Sequence, residues 1–541
     1  MKVYRLGFVV LLLASILPAS AQIRDTYHGL LTRQVNSPKL SGPQHLRDYV
    51  SVGKLRLSLK DAIRLTLENN SAIRIQEAQV ENAKFSLLRA YRPFDPQLQN
   101  TTNVNRYSYP GVSQLQGTGT FNALTHANQV NYSQTFQTGT NLLIALNTTR
   151  YSTTSGFYFI NPYYDSVLNL QFTQPLLRNR WRFENRAPVL IARKSLQQSS
   201  ANFEAQVSDA LLKAVSQYWA VVLARGNVDV TQKALEAAEA TYQHDKRALE
   251  LGALPPLDIY RSESEVASRR VQVIQAEYLV KQVENDLRLT IGVDQDTYVQ
   301  ALDLDLTERP EPEGELRAID AGTAVQEALA KRPELHAAQH ALENDDTSIR
   351  LAQNHLQPDL SLTGFYQSNG IGGDQFSLTT GQLISRGGLG TSFNQLFGFG
   401  FPGYGASLTL NLPIKNRAAQ ADLGTALVTR HSDLYSMQQQ HEQIGLEVSN
   451  AVHQLELAKL TLAAGKTALD LAQKSLVAEQ RKSQLGAQPV FFLLDAQTKV
   501  AAAEANLLQA QINYQTAIAA VDHATGSLLQ SYQVQISELT K

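Results

Sequence analysis

Two helical runs of about 70 residues dominate the sequence, and both stop in the same way. They extend from about Arg180 to Glu250 and from about Arg417 to Leu485. At 1.5 Å rise per residue each makes a rod of roughly 100 Å, longer than an ordinary globular helix. The first ends at "LGALPP" (Leu251 to Pro256), the second at "LGAQP" (Leu485 to Pro489). A return helix follows each, Leu257 to Ile291 and then up to about Thr525. Gly252 and Gly486 end a helix; Pro255, Pro256 and Pro489 start the next. Each rod therefore doubles back on itself, and long antiparallel pairs of this kind pack as coiled coils.

What precedes each rod also repeats. Helical spacing over Leu57 to Tyr91 stops at Pro93–Pro96, and over Thr323 to Asn354 it stops before Pro358. Alternating segments then appear in residues 97–177 and again in Asp359 to Phe365 and Leu408 to Leu412, with a Gly- and Phe-rich loop from Gly370 to Gly405. A shift of 262 carries Ala62, Leu67 and Pro96 onto Ala324, Leu329 and Pro358. A shift of 234 carries Leu251, Gly252, Pro255 and Gly292 onto Leu485, Gly486, Pro489 and Gly526. Gly and Pro matches mark backbone events, so the sequence reads as an internal duplication.

The layout expected is a leader over 1–21, an arm or linker over 22–56, a first repeat over 57–292 with its tip at 251–257, an acidic Pro-containing linker over 293–321, a second repeat over 322–526 with strands in 358–414 and its tip at 485–491, and a tail over 527–541. Lys2 and Arg5, the apolar Phe8 to Leu17 and Ala19-Ser20-Ala21 fit an export leader, with a mature start near Gln22. The chain has no Cys, hence no lipid-accepting thiol and no disulfide framework. A formal net charge of −1 argues against nucleic acid as a partner. The eleven His form no HExxH or other metal cluster, and "GIGGD" (Gly370 to Asp374) lacks the strand-to-helix context of a phosphate loop. No metal, cofactor or enzymatic activity is expected.

In residues 97–177, Val130, Tyr132 and Phe136, then Leu142, Ile144 and Leu146, then Leu168, Leu170 and Phe172 alternate with neutral polar neighbours. Lipid-facing barrel strands look like this, and so do half-buried surface strands. The first half holds four strand-like segments against two in the second; the surplus hairpin, about Ala127 to Tyr151, either enlarges the sheet or folds outside it.

The order of elements, the two "LGA-x-P" tips, "QPLL" (Gln174 to Leu177) and "NLPI" (Asn411 to Ile414) at strand-to-helix junctions, and "LLDAQTKV" (Leu493 to Val500) together resemble the TolC-like outer membrane efflux protein family. The resemblance covers about Leu57 to Gly526. It implies a mainly α fold with membrane β: coiled-coil hairpins plus strands that contribute to a transmembrane β-barrel shared by a homotrimer in outer-membrane lipid. It implies a passive exit duct of a tripartite efflux or type I secretion system, with a periplasmic adaptor protein and an inner-membrane transporter as partners. A secreted or periplasmic coiled-coil rod without a pore is the alternative reading.

The same resemblance places the gate at the tips. Asp495 matches an acidic position at the periplasmic mouth and Asp258 the acidic position of the first tip, though Asp258 reads equally well as a first-turn acid at a helix N-terminus. Three aspartates around one axis would raise each other's pKa. Phe492 stands where some members carry a second acid, so Phe491 or Phe492 is a candidate apolar ring, with coiled-coil packing expected of one of the two. Gln488 stands where members place a basic locking residue, so no charge-based lock is implied there. The turn residues Leu251, Gly252, Pro255, Pro256, Leu485, Gly486, Gln488 and Pro489 are the adaptor-docking candidates.

Overall fold

The computed structural model describes residues 44–534 except 52, 111–118, 156–157, 252–256, 258, 313 and 485–489. The leader and the mature start near Gln22 therefore lie outside the described residues. Within them, the element order is β1 (Val50–Ser51), β2 (Lys54–Leu57), α1 (Leu59–Asn69), α2 (Ser71–Ala90), β3 (Gln97–Pro110), β4 (Thr120–Thr135), β5 (Asn141–Thr153), β6 (Ile160–Pro175), α3 (Arg182–Glu250) and α4 (Ile259–Ile291). Then come α5 (Thr297–Gln300), β7 (Asp303–Leu306), α6 (Ala321–Lys331), α7 (Pro333–His355), β8 (Asp359–Phe376), β9 (Leu383–Ser385), α8 (Leu389–Phe397), β10 (Pro402–Asn411), α9 (Arg417–Gln484), α10 (Val490–Ala524) and α11 (Leu528–Ser531).

The two halves start with the same local chemistry. Ser58 caps α1 with a reciprocal box: Asp61 N–H donates to Ser58 Oγ at 3.2 Å, and Ser58 N–H donates to Asp61 Oδ2 at 3.0 Å. Asp320 caps α6 by accepting from Thr323 N–H at 2.9 Å. Each short helix then breaks at one extended residue, Asn70 or Arg332, before the next begins. The left-handed Gly292 packs on Asn69, and the left-handed Gly526 packs on Lys331. A Cβ at either would be strained, which is why glycine stands at both.

Several boundaries differ from the sequence reading. Leu57 is not the start of a helix: it closes β2, which pairs antiparallel with β1 and parallel with β7. The stretches taken as arm (22–56) and linker (293–321) thus supply a three-stranded sheet at mid-rod. It covers a core of Leu55, Leu57, Leu304, Tyr218 and Leu287. Short alternation, Leu55 and Leu57 in and Lys54 and Arg56 out, hid inside charged sequence. The loop expected over Gly370 to Gly405 holds the end of β8, the short β9 and the helix α8.

The larger sheet runs β10-β8-β6-β5-β4-β3, antiparallel throughout, with β9 paired to β8. The surplus hairpin, β4 and β5, lies inside this sheet in unbroken register between β3 and β6. Directly opposed residues share a face. Leu168, Leu170 and Phe172 oppose Leu146, Ile144 and Leu142 on one side and Ser368, Tyr366 and Gly364 on the other. Tyr366, Leu362 and Leu360 in turn oppose Tyr404, Leu408 and Leu410. One face is therefore an apolar band. The opposite face carries Gln129, Asn131, Ser133, Asn147, Asn169, Gln171, Thr173, Thr363 and Gln367. Within the chain β3 and β10 each pair on one side only, so both ends of the sheet are open among the described residues.

Below the sheet the helices pair: α3 with α4, α9 with α10, and α10 against α3. At 69 and 68 residues, α3 and α9 are the rods expected. Their contacting faces are lined by small and β-branched side chains such as Ala210, Ala214, Val448 and Val452, which let helices approach closely. Among the described residues no helix is long and apolar enough to cross a membrane.

Candidate functional site

The far ends of the two hairpins are where the sequence places function. Gly252, Pro255, Pro256, Asp258, Leu485, Gly486, Gln488 and Pro489 fall outside the described residues. The flanks are described. Leu251 closes α3, its N–H donating to Arg247 O at 3.0 Å, while its side chain is 84% exposed. Leu257 and Tyr260 are exposed just after the turn. On the second hairpin Phe491 and Phe492 are 56% and 43% exposed, their rings edge-on at 5.5 Å. The expectation that one of them packs into the coiled-coil core is not met within the chain: the residue that enters that core is Ala496. Adjacent positions on a helix point about 100° apart, and the two rings satisfy each other outside the seam. Both tips thus present large apolar side chains to the outside.

Asp495 stands one turn further in. Its Oδ2 lies 2.7 Å from Lys499 Nζ, and its side chain is 42% exposed. Lys499, four residues on along the same helix face, is the signal for this pair in the sequence. An exposed pair of this spacing contributes little to stability, so Asp495 remains open to electrostatic work.

What holds each hairpin together near its tip differs. In the first, Ser262 on α4 donates its hydroxyl to Asp245 Oδ2 on α3, and both residues are 1% exposed. In the second, the corresponding positions are Glu479 and Ala496. Glu479 Oε1 takes Lys482 Nζ at 2.7 Å from its own helix, and its buried Oε2 has no partner. The two hairpins are also tied to each other: Arg269 of α4 donates to Thr498 Oγ1 at 2.7 Å and is held by Glu265 at 2.7 Å, while Gln497 donates to Thr241 Oγ1 at 3.4 Å. A cavity of about 160 Å³ lies between them, lined by Ala234, Ala238, Leu494, Val500 and Ala501. Lys233, Glu265, Arg269, Gln497, Thr498 and Glu504 also line it, so its wall is mixed rather than apolar.

A second polar cluster sits where the halves meet. His523 at the end of α10 lies 2.8 Å from Asp209 of α3 and 3.5 Å from Glu447 of α9. Arg332 reaches Glu334 at 3.0 Å, Glu447 at 3.2 Å and the His523 carbonyl at 3.3 Å. Burial pushes the His523 pKa down, but the two carboxylates it donates to outweigh this and raise it to about 9. The imidazolium therefore acts as a fixed cation joining three helices. Reasoning from sequence missed it, because Asp209, Glu447 and His523 are distant along the chain and each looks like a solvated helix residue. Nearer the sheet, burial and then the neighbouring Asp433 push Asp345 up to about 6. Among the described residues no group of three or more His, Cys, Asp or Glu is arranged to hold a metal ion.

Among the described residues the tips offer exposed apolar and acidic side chains and no nucleophile, base and oxyanion constellation. The sequence model of the outer membrane efflux protein family matches residues 62–293 and 324–527. Curated relatives include the probable efflux pump outer membrane protein TtgC and the antibiotic efflux pump outer membrane protein ArpC, both of Pseudomonas putida. Each is 24% identical over 280 residues, covering 52% of this chain and 52% of the relative. The chain thus spans about half the length of the curated relatives it matches. Among solved structures, the Campylobacter jejuni CmeC outer membrane channel superposes with a TM-score of 0.64 at 14% identity, covering 95% of both chains. The open state of the Neisseria gonorrhoeae MtrE outer membrane channel superposes at 0.58 with 17% identity, covering 92% of this chain and 98% of that one. At such identities these two likenesses are of fold.

Proposed function

The chain belongs to the outer membrane efflux protein family, and from that premise we propose that it is the outer-membrane exit duct of a tripartite efflux system. The observation that carries this is the larger sheet. One face is an apolar band, the other is mostly polar, with Leu143, Ala145, Val167 and Phe365 among its Asn, Gln, Ser and Thr, and among the described residues both end strands lack a second partner within the chain. Open edges do not survive in lipid, and six strands are too few to close around a lumen. Because β3 and β10 run in opposite senses, β10 of one copy pairs antiparallel with β3 of the next, and a homotrimer closes the ring. The apolar band then faces outer-membrane lipid and the Asn, Gln and Thr face lines water. The hairpins extend the duct roughly 100 Å into the periplasm.

In this reading the protein does no chemistry. The exposed Leu251, Leu257 and Tyr260 at the first tip meet a periplasmic adaptor, and an inner-membrane transporter supplies the energy. Asp495, with Asp258 from the other hairpin, forms the acidic ring at the periplasmic mouth, and Phe491 or Phe492 the apolar constriction beside it. The chain is exported by its leader and is not lipidated. A rod without a pore would leave the apolar band of β5, β6, β8 and β10 uncovered.

The test is to extract the full-length protein from outer membranes with mild detergent and to measure its mass and single-channel conductance. The mass of three chains and discrete, cation-preferring openings are expected. A monomer in the soluble periplasmic fraction would overturn the proposal.

A further inference from the structure

The helix α8, with the aromatic stretch after it, is not needed to make a barrel strand, yet it is built onto the sheet with care. Gly370 and Gly372 of β8 let its backbone rest directly on the strand: a Cβ on Gly370 would run into Ser392 O, and one on Gly372 into Gly388 O. Ser392 Oγ donates to Gly370 O at 2.7 Å, Ser368 Oγ donates to Leu396 O at 2.6 Å, and Ile371 N–H donates to Gln395 Oε1 at 2.9 Å. These contacts explain the inner face. The ladder between β10 and β8 stops at Ser368, and α8 covers the edge of β8 beyond it.

The outer face has no such explanation. The missing Cβ atoms of Gly370 and Gly372 point at α8, so α8 lies on the side of the sheet to which Ser368, Tyr366 and the opposed Leu168 and Leu170 belong. That is the side of the apolar band, at the band's outer border. One step further along, neighbouring strands turn polar on this face, with Thr148 and Asn128, then Arg150 and His126. Phe397, Phe399 and Phe401 are 46%, 49% and 58% exposed there. From Gly387 to Asn411 there is no charged residue. Phe399 also lies 6.2 Å from Tyr366 of the band, so the aromatic surface is continuous with it.

We infer that α8 and residues 397–401 form an interfacial anchor outside the barrel, laid along the border between lipid tails and headgroups. The occupant of this surface is lipid. The inference rests on the barrel reading, which makes the apolar band the lipid-facing side.

The chain has no native Cys, so single nitroxide labels can be placed at Phe397→Cys and Phe401→Cys in the full-length protein. Phe172→Cys marks the band and Gln171→Cys the lumen face. In phosphatidylcholine–phosphatidylglycerol vesicles, collision rates with oxygen and with a water-soluble nickel chelate are compared. Several-fold higher oxygen-to-nickel ratios at 397 and 401 than at 171 are expected, at a depth shallower than at 172. Ratios at 397 and 401 like that at 171, with 172 lipid-like, would overturn the anchor and leave the barrel standing. Labels at 397 and 401 immobilised and screened from both quenchers would also overturn it, since protein would then be the cover. A water-like label at 172 would overturn the barrel reading and this inference with it.

Discussion

The two helical hairpins are nearly equal in length and unequal near their ends. α3 and α4 are joined by a buried Ser262–Asp245 hydrogen bond; at the equivalent positions of α9 and α10 stand Glu479 and Ala496, and Glu479 pairs with Lys482 of its own helix at 2.7 Å. A hydrogen bond to a buried carboxylate from the facing helix ties two helices together, whereas a pair within one helix does not. Among the described residues, the first hairpin thus has a polar tie between its helices that the second lacks at the equivalent positions. The second also carries Phe491, Phe492 and Asp495. Near-identical rods can share a packing scheme and still differ in a single cross-helix pair.

The sharpest way to break this comparison is Ser262→Ala. It leaves Asp245 with only the 3.5 Å contact to His244 and is expected to cost about 3 kcal/mol of local stability. Hydrogen exchange should show amides around 240–265 losing protection by roughly 100-fold, with the second hairpin unchanged. Equal loss in both would remove the distinction. Next in size is the pH response of the cluster at the junction. Held at about 9 against an ordinary 6.5, His523 contributes stability that is full below pH 6.5 and lost as pH rises through about 9, up to about 3 kcal/mol. The melting temperature should fall over that window, and His523→Gln should flatten the fall. Because the cluster touches α3, α9 and α10, both hairpins should loosen alike. Protection lost from one only would mean that it belongs to that hairpin. Ala496→Ser, which places a hydroxyl at the position equivalent to Ser262, should stiffen the second hairpin by about 1 kcal/mol and lower the open probability of the channel. The smallest stability effect belongs to Asp495→Ala, within about 0.5 kcal/mol since the pair with Lys499 is exposed. Its effect should appear in cation preference, and an unchanged preference would remove Asp495 from the mouth.

Much of the fold was legible because it is written in backbone events. Pro96 and Pro358 end helices before strands, Gly292 and Gly526 adopt the same left-handed turn, and the rods end at Glu250 and Gln484. Regular periodicity made the rods readable. The small sheet was not readable, because β2 and β7 are four residues each and pair in parallel across most of a repeat. Helix α8 was hidden by its glycines and phenylalanines, which as composition read as loop. At the tips, the sequence pointed to Asp495, Phe491 and Phe492, whereas the Ser262–Asp245 lock and the His523 cluster depend on contacts across helices. Helical spacing alone does not distinguish a buried serine from a solvated one.

The most direct test of the shared barrel joins copies covalently at its seams. With no native Cys to interfere, one Cys is placed on β3 and one on β10, and pairs are scanned along the two strands under mild oxidation in membranes. Some registers should give a ladder ending at three chains on non-reducing gels, and cross-linked channels should still conduct. Monomers alone at every register would contradict a barrel closed by β10 of one copy against β3 of the next.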